Sequence, residues 1–219
     1  MIIQIGGSSY LFNELKKNNK VLRFSRSSEN YFDINDINTW KEFEESAEKN
    51  NKFCITVGFL QKKRIIDQSR EEIVTSFLTN CISIVLLCEK IFSVNDEAKV
   101  VIVSSESGSK GSYDETYFLS KAALNRYVEE RSVLAKQQLV CISPSTIEDS
   151  NMTKVRDDKE RLEFYKSSHP KKRFMKMQEL ANLISFLFED SSNYICNENI
   201  NINGGKFARM KNFEKNLSA

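Results

Sequence analysis

Glycine, proline, histidine and tryptophan are all scarce in this chain of 219 residues, which contains seven, two, one and one of them. Without a stretch rich in proline and glycine, no linker separates two parts of the chain, so residues 1–219 are predicted to form a single domain. A hydrophobic content of 40% at this length can supply a full core without disulfides or metal ions. The lone histidine, His169, lies in a basic segment and is interpreted as a solvated loop residue.

An excess of charge of either sign is also missing. The 32 Lys and Arg residues nearly balance the 30 Asp and Glu residues, for a net charge of +2. This balance gives no electrostatic reason to expect nucleic acid or an acidic membrane as a partner. A small molecule or another protein chain is the expected partner.

Long apolar runs are absent as well. The longest, residues 81–88, contains Ser83 and ends at Glu89, which is too short for the roughly 20 residues that a bilayer requires. The apolar run after Met1 ends at Gly6 and is too brief for a signal peptide, so we expect a cytoplasmic protein without a membrane anchor. The cysteines are odd in number, have no CxxC spacing and lie in apolar runs, so buried free thiols are expected and no metal site is assigned. They are Cys54, Cys81, Cys88, Cys141 and Cys196.

Strand patterns and helix patterns alternate along the whole chain. Strands are predicted near residues 2–5, 20–25, 31–34, 53–57, 100–103, 139–143 and 200–202. Helices are predicted near residues 11–18, 39–49, 69–92, 112–135 and 178–188. This alternation predicts an α/β fold: a Rossmann-like, doubly wound parallel sheet with helices on both faces, which binds ligands at the carboxyl ends of its strands.

Three helix starts have sequence signals. Ser69 precedes Glu72 by three residues and Ser112 precedes Glu115 by three, which is the spacing of a capping box. Asn38 is placed to cap the helix that begins near Thr39.

One helix carries a pair of residues suited to proton transfer. Tyr117 and Lys121 are four residues apart near the start of the helix predicted at 112–135, so their side chains share one face. A tyrosine hydroxyl has a pKa of about 10 and is a poor base at neutral pH, but a neighbouring ammonium favours the phenolate and lowers that pKa. The spacing alone is weak evidence, since a lysine-rich chain produces it readily by chance.

The residues around this pair resemble the active-site stretch of the short-chain dehydrogenases/reductases. They read VVIVSS at 100–105, Gly108, and YFLSKAAL at 117–124. The resemblance extends over most of the chain: residues 179–187 and 203–205 are similar to the closing helix and strand of the family.

Further single positions match the family. Asp33 stands where the family has an acidic residue that touches adenine, and Asn80 matches the asparagine of the fourth catalytic position. Pro144 matches the proline of a Pro-Gly turn, although Ser145 replaces the glycine. The family's Asn-Asn-Ala-Gly after the fourth strand is altered to TVGF at 56–59.

The resemblance implies roles for four residues. Tyr117 would be the general acid/base, and Lys121 would lower its pKa and hold the nicotinamide ribose. Ser105 would hydrogen-bond the substrate carbonyl, with the neighbouring Ser104 as an alternative, and Asn80 would hold a water in the proton relay. The implied activity is an NAD(P)-dependent interconversion of a carbonyl and an alcohol in a small-molecule substrate.

The dinucleotide loop departs from the family pattern. The family has Thr-Gly-x-x-x-Gly-x-Gly; here Gly6 matches the first glycine, while Tyr10 and Phe12 replace the other two. Those glycines normally allow close approach of the backbone to pyrophosphate, so the aromatic rings put cofactor binding in question. NADP(H) is favoured over NAD(H), since Arg26 after the second strand could pair with a 2′-phosphate. The implied cofactor-binding residues are Gly6, Ser8, Ser9, Arg26, Asp33, Lys121 and Pro144.

Two alternatives stay open because of this loop: a cofactor-free, non-catalytic partner subunit with the same fold, and a lyase resembling the halohydrin dehalogenases. The lyases have arginine where this chain has Lys121, which counts against them.

Residues 150–173 stand where the family carries its substrate lid, and residues 206–219 form a C-terminal tail. The helices predicted at 69–92 and 112–135 match those that pair across subunits, so a homodimer or homotetramer is expected.

Overall fold

One sheet of seven parallel strands forms the centre of the computed structural model, which describes residues 1–7, 9–154 and 158–208. The strands are β1 (Ile2–Ile5), β2 (Val21–Ser25), β3 (Asn30–Tyr31), β4 (Lys52–Ile55), β5 (Lys99–Val103), β6 (Gln138–Pro144) and β7 (Glu198–Ile202). Their order is β3-β2-β1-β4-β5-β6-β7, and every neighbouring pair is parallel. The chain therefore adds strands outward from β1 in both directions, as the prediction of a doubly wound sheet required.

Helices cover both faces of the sheet because successive strand residues point to opposite sides. On one face, Phe53 and Ile102 pack with α2 (Lys41–Ala47), α4 (Ser83–Val94) and α6 (Glu115–Glu130). On the other, Cys54 and Val101 pack with α1 (Ser9–Lys16) and α9 (Met177–Leu187). The continuous apolar runs of β5 and β6 are thereby buried on both sides. This arrangement confirms the predicted Rossmann-like α/β fold.

Three predicted helix starts have different outcomes. Ser69 caps α3 (Arg70–Phe77) in a capping box with Glu72, as predicted. The box predicted at Ser112 is wrong, because α6 begins at Glu115 and is capped by Asp114, whose carboxylate accepts from the Tyr117 backbone N–H. The cap predicted at Asn38 is also wrong.

At that third start, Asp36 caps a short 3₁₀ turn over Ile37–Thr39, and α2 follows from Lys41. Elsewhere the strand predicted at 31–34 is reduced to the two residues of β3, and α6 ends at Glu130 rather than near residue 135.

The long helix predicted at 69–92 is interrupted. A π-helical turn over Leu78–Ile82 separates α3 from α4, and Asn80 lies at its centre. Within the described residues, the whole stretch Arg70–Val94 is long and apolar enough by composition to cross a membrane. A core helix passes the same test, and here Ile84, Leu87 and Ile91 are fully buried against the sheet.

The segment between β6 and α9 contains two helices, α7 (Asn151–Lys154) and α8 (Lys159–Ser168). Residues 155–157 of the proposed lid and residues 209–219 of the proposed tail lie outside the described residues. The interpretation of His169 as solvated is wrong: it is 7% exposed, and its ring packs against Gly204. Its Nε2 lies 3.1 Å from the Asn203 carbonyl oxygen, so it joins the end of the lid segment to the chain after β7.

Three further helices are short. α5 (Ser107–Lys110) precedes α6, and 3₁₀ turns cover Ile65–Asp67 and Asp190–Ser192. All five cysteines are free; Cys54, Cys81, Cys88 and Cys141 are buried, and Cys196 is partly exposed.

Candidate functional site

The predicted site residues lie along the carboxyl edge of the sheet. Because all seven strands are parallel, the segments after β1, β2, β4, β5 and β6 open onto the same edge. β1 and β4 are the neighbours at which the winding reverses, and a crevice forms outside the carboxyl ends at such a point. Gly6, Ser105 and Pro144 each lie at or just after the end of one of these strands.

Tyr117 and Lys121 face this edge from α6. Tyr117 is 8% exposed and Lys121 is 1% exposed. The Lys121 ammonium lies 5.9 Å from the centre of the Tyr117 ring and donates a hydrogen bond to the Val57 carbonyl, at 3.1 Å. One face of α6 thus carries both side chains, as their spacing predicts.

Asn80 is locked to the segment after β4. Its Oδ1 accepts from the Phe59 backbone N–H at 2.7 Å, and its Nδ2 donates to the Phe59 carbonyl at 2.7 Å and to Ser76 Oγ at 3.2 Å. Both amide hydrogens are therefore engaged within the protein. The π-helical turn places this side chain in the interior, where its exposure is zero.

The two serines after β5 have different surroundings. Ser104 is buried, and its hydroxyl donates to Asn125 Oδ1 at 2.6 Å, which ties it into the α6 packing. Ser105 is partly exposed, and its hydroxyl is near enough to the Tyr117 hydroxyl to lower the pKa of Tyr117. Of the two serines, Ser105 is the one adjacent to Tyr117.

Burial dominates the electrostatics of the site. Desolvation raises the pKa of Tyr117, the hydrogen bond with Ser105 opposes this, and the carboxylate of Asp114 raises the pKa further. Desolvation lowers the pKa of Lys121 to about 8. The direction at Tyr117 is opposite to the lowering expected from its lysine neighbour, because the cost of burying a phenolate outweighs attraction at this separation.

The first glycine of the altered loop makes a sharp turn. Gly6 has a φ of +121°, and a Cβ there would lie 2.8 Å from Thr56 Oγ1 and 2.9 Å from the Thr56 carbonyl carbon. Gly7 is exposed, and a Cβ on it would meet nothing within 4 Å. Ser9 begins α1, whereas Ser8 lies outside the described residues. The loop thus packs against β4 on one side and is open on the other.

The aromatic residues that replace the later glycines lie on α1 and do not enter the core. The Phe12 ring lies between Lys16 and Arg23, 5.2 and 5.8 Å from their charged groups. Tyr10 is 37% exposed, and the ammonium of Lys154 lies 4.0 Å from its ring centre.

A second arginine, which the sequence reasoning missed, contacts the loop. Arg23 of β2 donates to the carbonyl oxygens of Gly6 and Gly7, at 3.4 and 3.1 Å, and to Ser27 Oγ at 3.1 Å. An arginine inside an otherwise apolar strand is the signal that could have identified it. Arg26 is exposed in the turn after β2.

Asp33 and Pro144 lie at the remaining predicted positions. Asp33 follows β3, is partly buried and accepts from the Asn35 backbone N–H at 3.0 Å. Pro144 ends β6, and its carbonyl accepts from the Glu106 backbone N–H, so it joins β6 to the loop that carries Ser105.

The start of the segment predicted as a lid, residues 150–173, lies near Gly58 and Lys121. A Cβ added to Gly58 would be 3.3 Å from the methyl group of Met152 and 4.0 Å from the Lys121 ammonium. Together with the contact between Lys154 and Tyr10, this places α7 between Gly58 and the start of α1.

These residues fit a dinucleotide. The open side of Gly7 leaves room for phosphate near the start of α1, where backbone N–H groups favour anions. The Lys121 ammonium has three hydrogens, and the described residues give it one hydrogen bond, to Val57, which leaves donors for ribose hydroxyls. Neither Tyr10 nor Phe12 is buried in the turn at Gly6.

Comparisons with known proteins agree with this geometry. A family profile described as "Enoyl-(Acyl carrier protein) reductase" matches residues 32–206, which begins after the altered loop. A search of curated protein sequences finds no match.

Among solved structures, the chain is similar to a short-chain dehydrogenase/reductase of the glucose/ribitol dehydrogenase type from Brucella melitensis. The two are 17% identical with a TM-score of 0.81, and the match covers 94% of this chain and 96% of that one. ElxO with NADP bound is 18% identical with a TM-score of 0.78, over 94% and 98% of the chains. A 4-hydroxyisoleucine dehydrogenase mutant complexed with NADH and succinate is 18% identical with a TM-score of 0.80, over 96% and 100%.

Proposed function

Because the chain belongs to the short-chain dehydrogenase/reductase family, we propose that it is an NADP(H)-dependent oxidoreductase that interconverts a carbonyl and an alcohol. The observation that carries this proposal is the buried group formed by Tyr117, Lys121 and Asn80, with Ser105 beside the Tyr117 hydroxyl. Burying the Lys121 ammonium costs stability, and a lysine placed beside a tyrosine hydroxyl can assist proton transfer by that hydroxyl.

In this proposal Tyr117 and Ser105 bind the oxygen of the substrate. Both hydroxyls can donate a hydrogen bond to a carbonyl oxygen placed between them, and Tyr117 then transfers its proton to that oxygen. The nicotinamide ring, when bound, supplies the hydride that reaches the carbonyl carbon. A raised pKa keeps Tyr117 protonated at neutral pH, which is the form needed for reduction.

Lys121 and Asn80 assist this proton transfer without contacting the substrate oxygen. With a pKa of about 8, Lys121 is mainly protonated at pH 7, so its charge stabilises the phenolate that forms as the proton leaves. It also has donors for the ribose of the cofactor. Asn80 has no free amide hydrogen, so a relay water would be held by its remaining Oδ1 lone pair or its backbone carbonyl.

The preference for NADP(H) rests on two arginines beside the loop. Arg26, exposed after β2, is the group proposed to pair with the 2′-phosphate, and Arg23 holds the loop carbonyls and adds positive charge. Gly6, Ser8 and Ser9 would contact the pyrophosphate of the cofactor. Asp33 would contact the adenine, and Pro144 would lie near the nicotinamide. Arg26→Ser should weaken NADPH binding and leave NADH binding unchanged, measured by titration calorimetry. Equal losses for both nucleotides would assign Arg26 another role.

The cofactor-free alternatives are less well supported. Both depend on aromatic rings filling the loop, and Tyr10 and Phe12 lie outside it. We place the enzyme in the cytoplasm as a homodimer or homotetramer that acts on a small molecule. Residues 150–173 serve as its substrate lid.

Replacing Tyr117 by phenylalanine tests the proposed chemistry. Tyr117→Phe removes the transferable proton and should lower turnover of NADPH with an accepted carbonyl compound by at least about 10²-fold. Tyr113→Phe is the matched control, since Tyr113 immediately precedes the cap residue Asp114, is 61% exposed and lies against Arg64. Equal turnover in the two variants would contradict the assignment of Tyr117.

A further inference from the structure

A buried carboxylate lies at the start of α6, three residues before Tyr117. Asp114 is 1% exposed, and its Oδ1 accepts from the Tyr117 backbone N–H at 3.1 Å. The same oxygen lies 2.7 Å from Thr116 Oγ1 and 3.2 Å from Gln68 Nε2. Its other oxygen, Oδ2, accepts from the Gln61 backbone N–H at 2.7 Å. Within the described residues, no lysine or arginine forms an ion pair with it.

These contacts exceed what capping a helix requires. A cap needs one side-chain oxygen for one or two backbone N–H groups, and the usual cap residues are common at exposed positions. Asp114 instead loses nearly all contact with water, which is costly for a carboxylate unless several hydrogen bonds stabilise it. Its second oxygen is directed at a residue 53 positions away in the chain.

The partner segment connects the whole site. After β4, alternate residues each bond to one site residue: the Val57 carbonyl accepts from Lys121, both backbone groups of Phe59 bond to Asn80, and the Gln61 N–H donates to Asp114. One extended stretch of backbone therefore holds the lysine, the asparagine and the start of α6 at fixed separations.

We propose that Asp114 is a positioning residue for Tyr117: its carboxylate fixes the start of α6 to the segment at residues 57–61 and places a buried carboxylate on the Tyr117 backbone N–H. This inference rests on the role proposed for Tyr117. The charge disfavours the phenolate and keeps the hydroxyl protonated until a substrate oxygen is in place.

The other groups around Tyr117 do not supply a negative charge. On α6, the Lys121 ammonium lies 5.9 Å from the centre of the Tyr117 ring and has the opposite charge. From the loop after β5, Ser105 contributes a neutral hydroxyl. The thiols of Cys81 from the π-helical turn and Cys141 from β6 lie near Lys121 and have raised pKa values, so they are neutral at pH 7. Among the described residues, Asp114 is thus the negative charge that raises the pKa of Tyr117.

Titration of the Tyr117 hydroxyl tests the inference without cofactor or substrate. The phenolate is detected by its ultraviolet difference absorbance, and the spectrum of Tyr117→Phe is subtracted to remove the other tyrosines. Asp114→Asn keeps a capping oxygen, removes the charge and replaces the oxygen that accepts from Gln61 by an amide nitrogen, so the Tyr117 ionisation midpoint should fall by about one pH unit. Glu115→Gln removes a charge from the adjacent residue, whose carboxylate bonds to Ile65, and should leave the midpoint in place.

The positioning half of the inference has its own measurement. Asp114→Ser retains a cap but cannot reach Gln61, so turnover should fall by about 10-fold or more while the Kd for NADPH changes less than twofold. Asp114→Asn is a second route to the same result if the serine variant does not fold.

A midpoint shift in Asp114→Asn no larger than that in Glu115→Gln would overturn the inference. If Tyr117→Phe retains turnover while the midpoint still shifts, the proposed function fails and the placement of the charge stands. If the midpoint is unchanged and Tyr117→Phe is inactive, the inference about Asp114 fails and the proposed function stands.

Discussion

Replacing Gly6 by alanine is a direct test of the turn that opens the cofactor loop. With a φ of +121°, this residue occupies a region that residues with a side chain rarely adopt, at a cost of about 1–3 kcal/mol. The added methyl group would also lie 2.9 Å from the Thr56 carbonyl carbon, closer than carbon atoms pack. Overpacking of this kind costs a further 1–3 kcal/mol, roughly. We therefore expect a loss of about 2–6 kcal/mol in the free energy of unfolding.

The same loop offers a matched control. Gly7 lacks a positive φ, and a Cβ there meets nothing within 4 Å, so Gly7→Ala should change the free energy of unfolding by no more than about 1 kcal/mol. For a chain of this size each kcal/mol corresponds to about 2–4 °C in Tm, so Gly6→Ala should melt at least about 4 °C below the native protein. Thermal melting followed by circular dichroism measures both variants. A Tm for Gly6→Ala equal to that of Gly7→Ala would refute the described turn.

Three other predictions follow from exposed or paired side chains. Tyr10→Ala combined with Phe12→Ala should leave the NADPH affinity in calorimetry little changed and the Tm within a few degrees, because neither ring enters the loop or the core; a large rise in affinity or a large fall in Tm would contradict this. The native chain should scatter light as a dimer or tetramer, and Leu86→Glu, at a position 54% exposed on α4, should reduce it to a particle of 25.3 kDa; a native particle of that mass would exclude self-association. The pKa of Glu179 is lowered to about 2, mainly by its hydrogen bonds to Arg173. Its contribution to the free energy of unfolding is therefore complete above its ordinary pKa of 4.5 and is lost as the pH falls toward 2. Glu179→Gln should be less stable than the native chain at pH 7 by at most about 1 kcal/mol, since the pair is exposed, and equal to it near pH 2; a difference that persists at pH 2 would exclude the linkage.

The strand and helix succession could be predicted from the sequence because its signals are local. The continuous apolar run of β5 indicates a strand buried on both faces, as the structure has it. The capping box joins Ser69 and Glu72, which are only three residues apart. Tyr117 and Lys121 share a helix face for the same reason. Their burial and the direction of the Tyr117 pKa could not be predicted, since desolvation depends on what packs above the helix.

The predictions were wrong where a contact with a residue distant in the chain replaced the local contact that the sequence indicates. Ser112 and Glu115 have the spacing of a capping box, yet Asp114 caps α6 because Gln61 and Gln68, distant in the chain, stabilise its carboxylate. The basic neighbours of His169 predict a solvated side chain, whereas its ring packs against Gly204, which has no side chain to exclude it.

The sequence by itself determined the α/β succession, the family and the residue types available for proton transfer. Periodicity, caps and short motifs each depend on residues that lie close together in the sequence. Only the tertiary structure decided which groups meet. The parallel sheet brings the segment after β4 against α6 and the π-helical turn, so Val57, Phe59 and Gln61 bond to Lys121, Asn80 and Asp114 in succession. The same packing excludes water from Tyr117, and the cost of desolvating a charge, rather than the neighbouring lysine, sets the direction of its pKa.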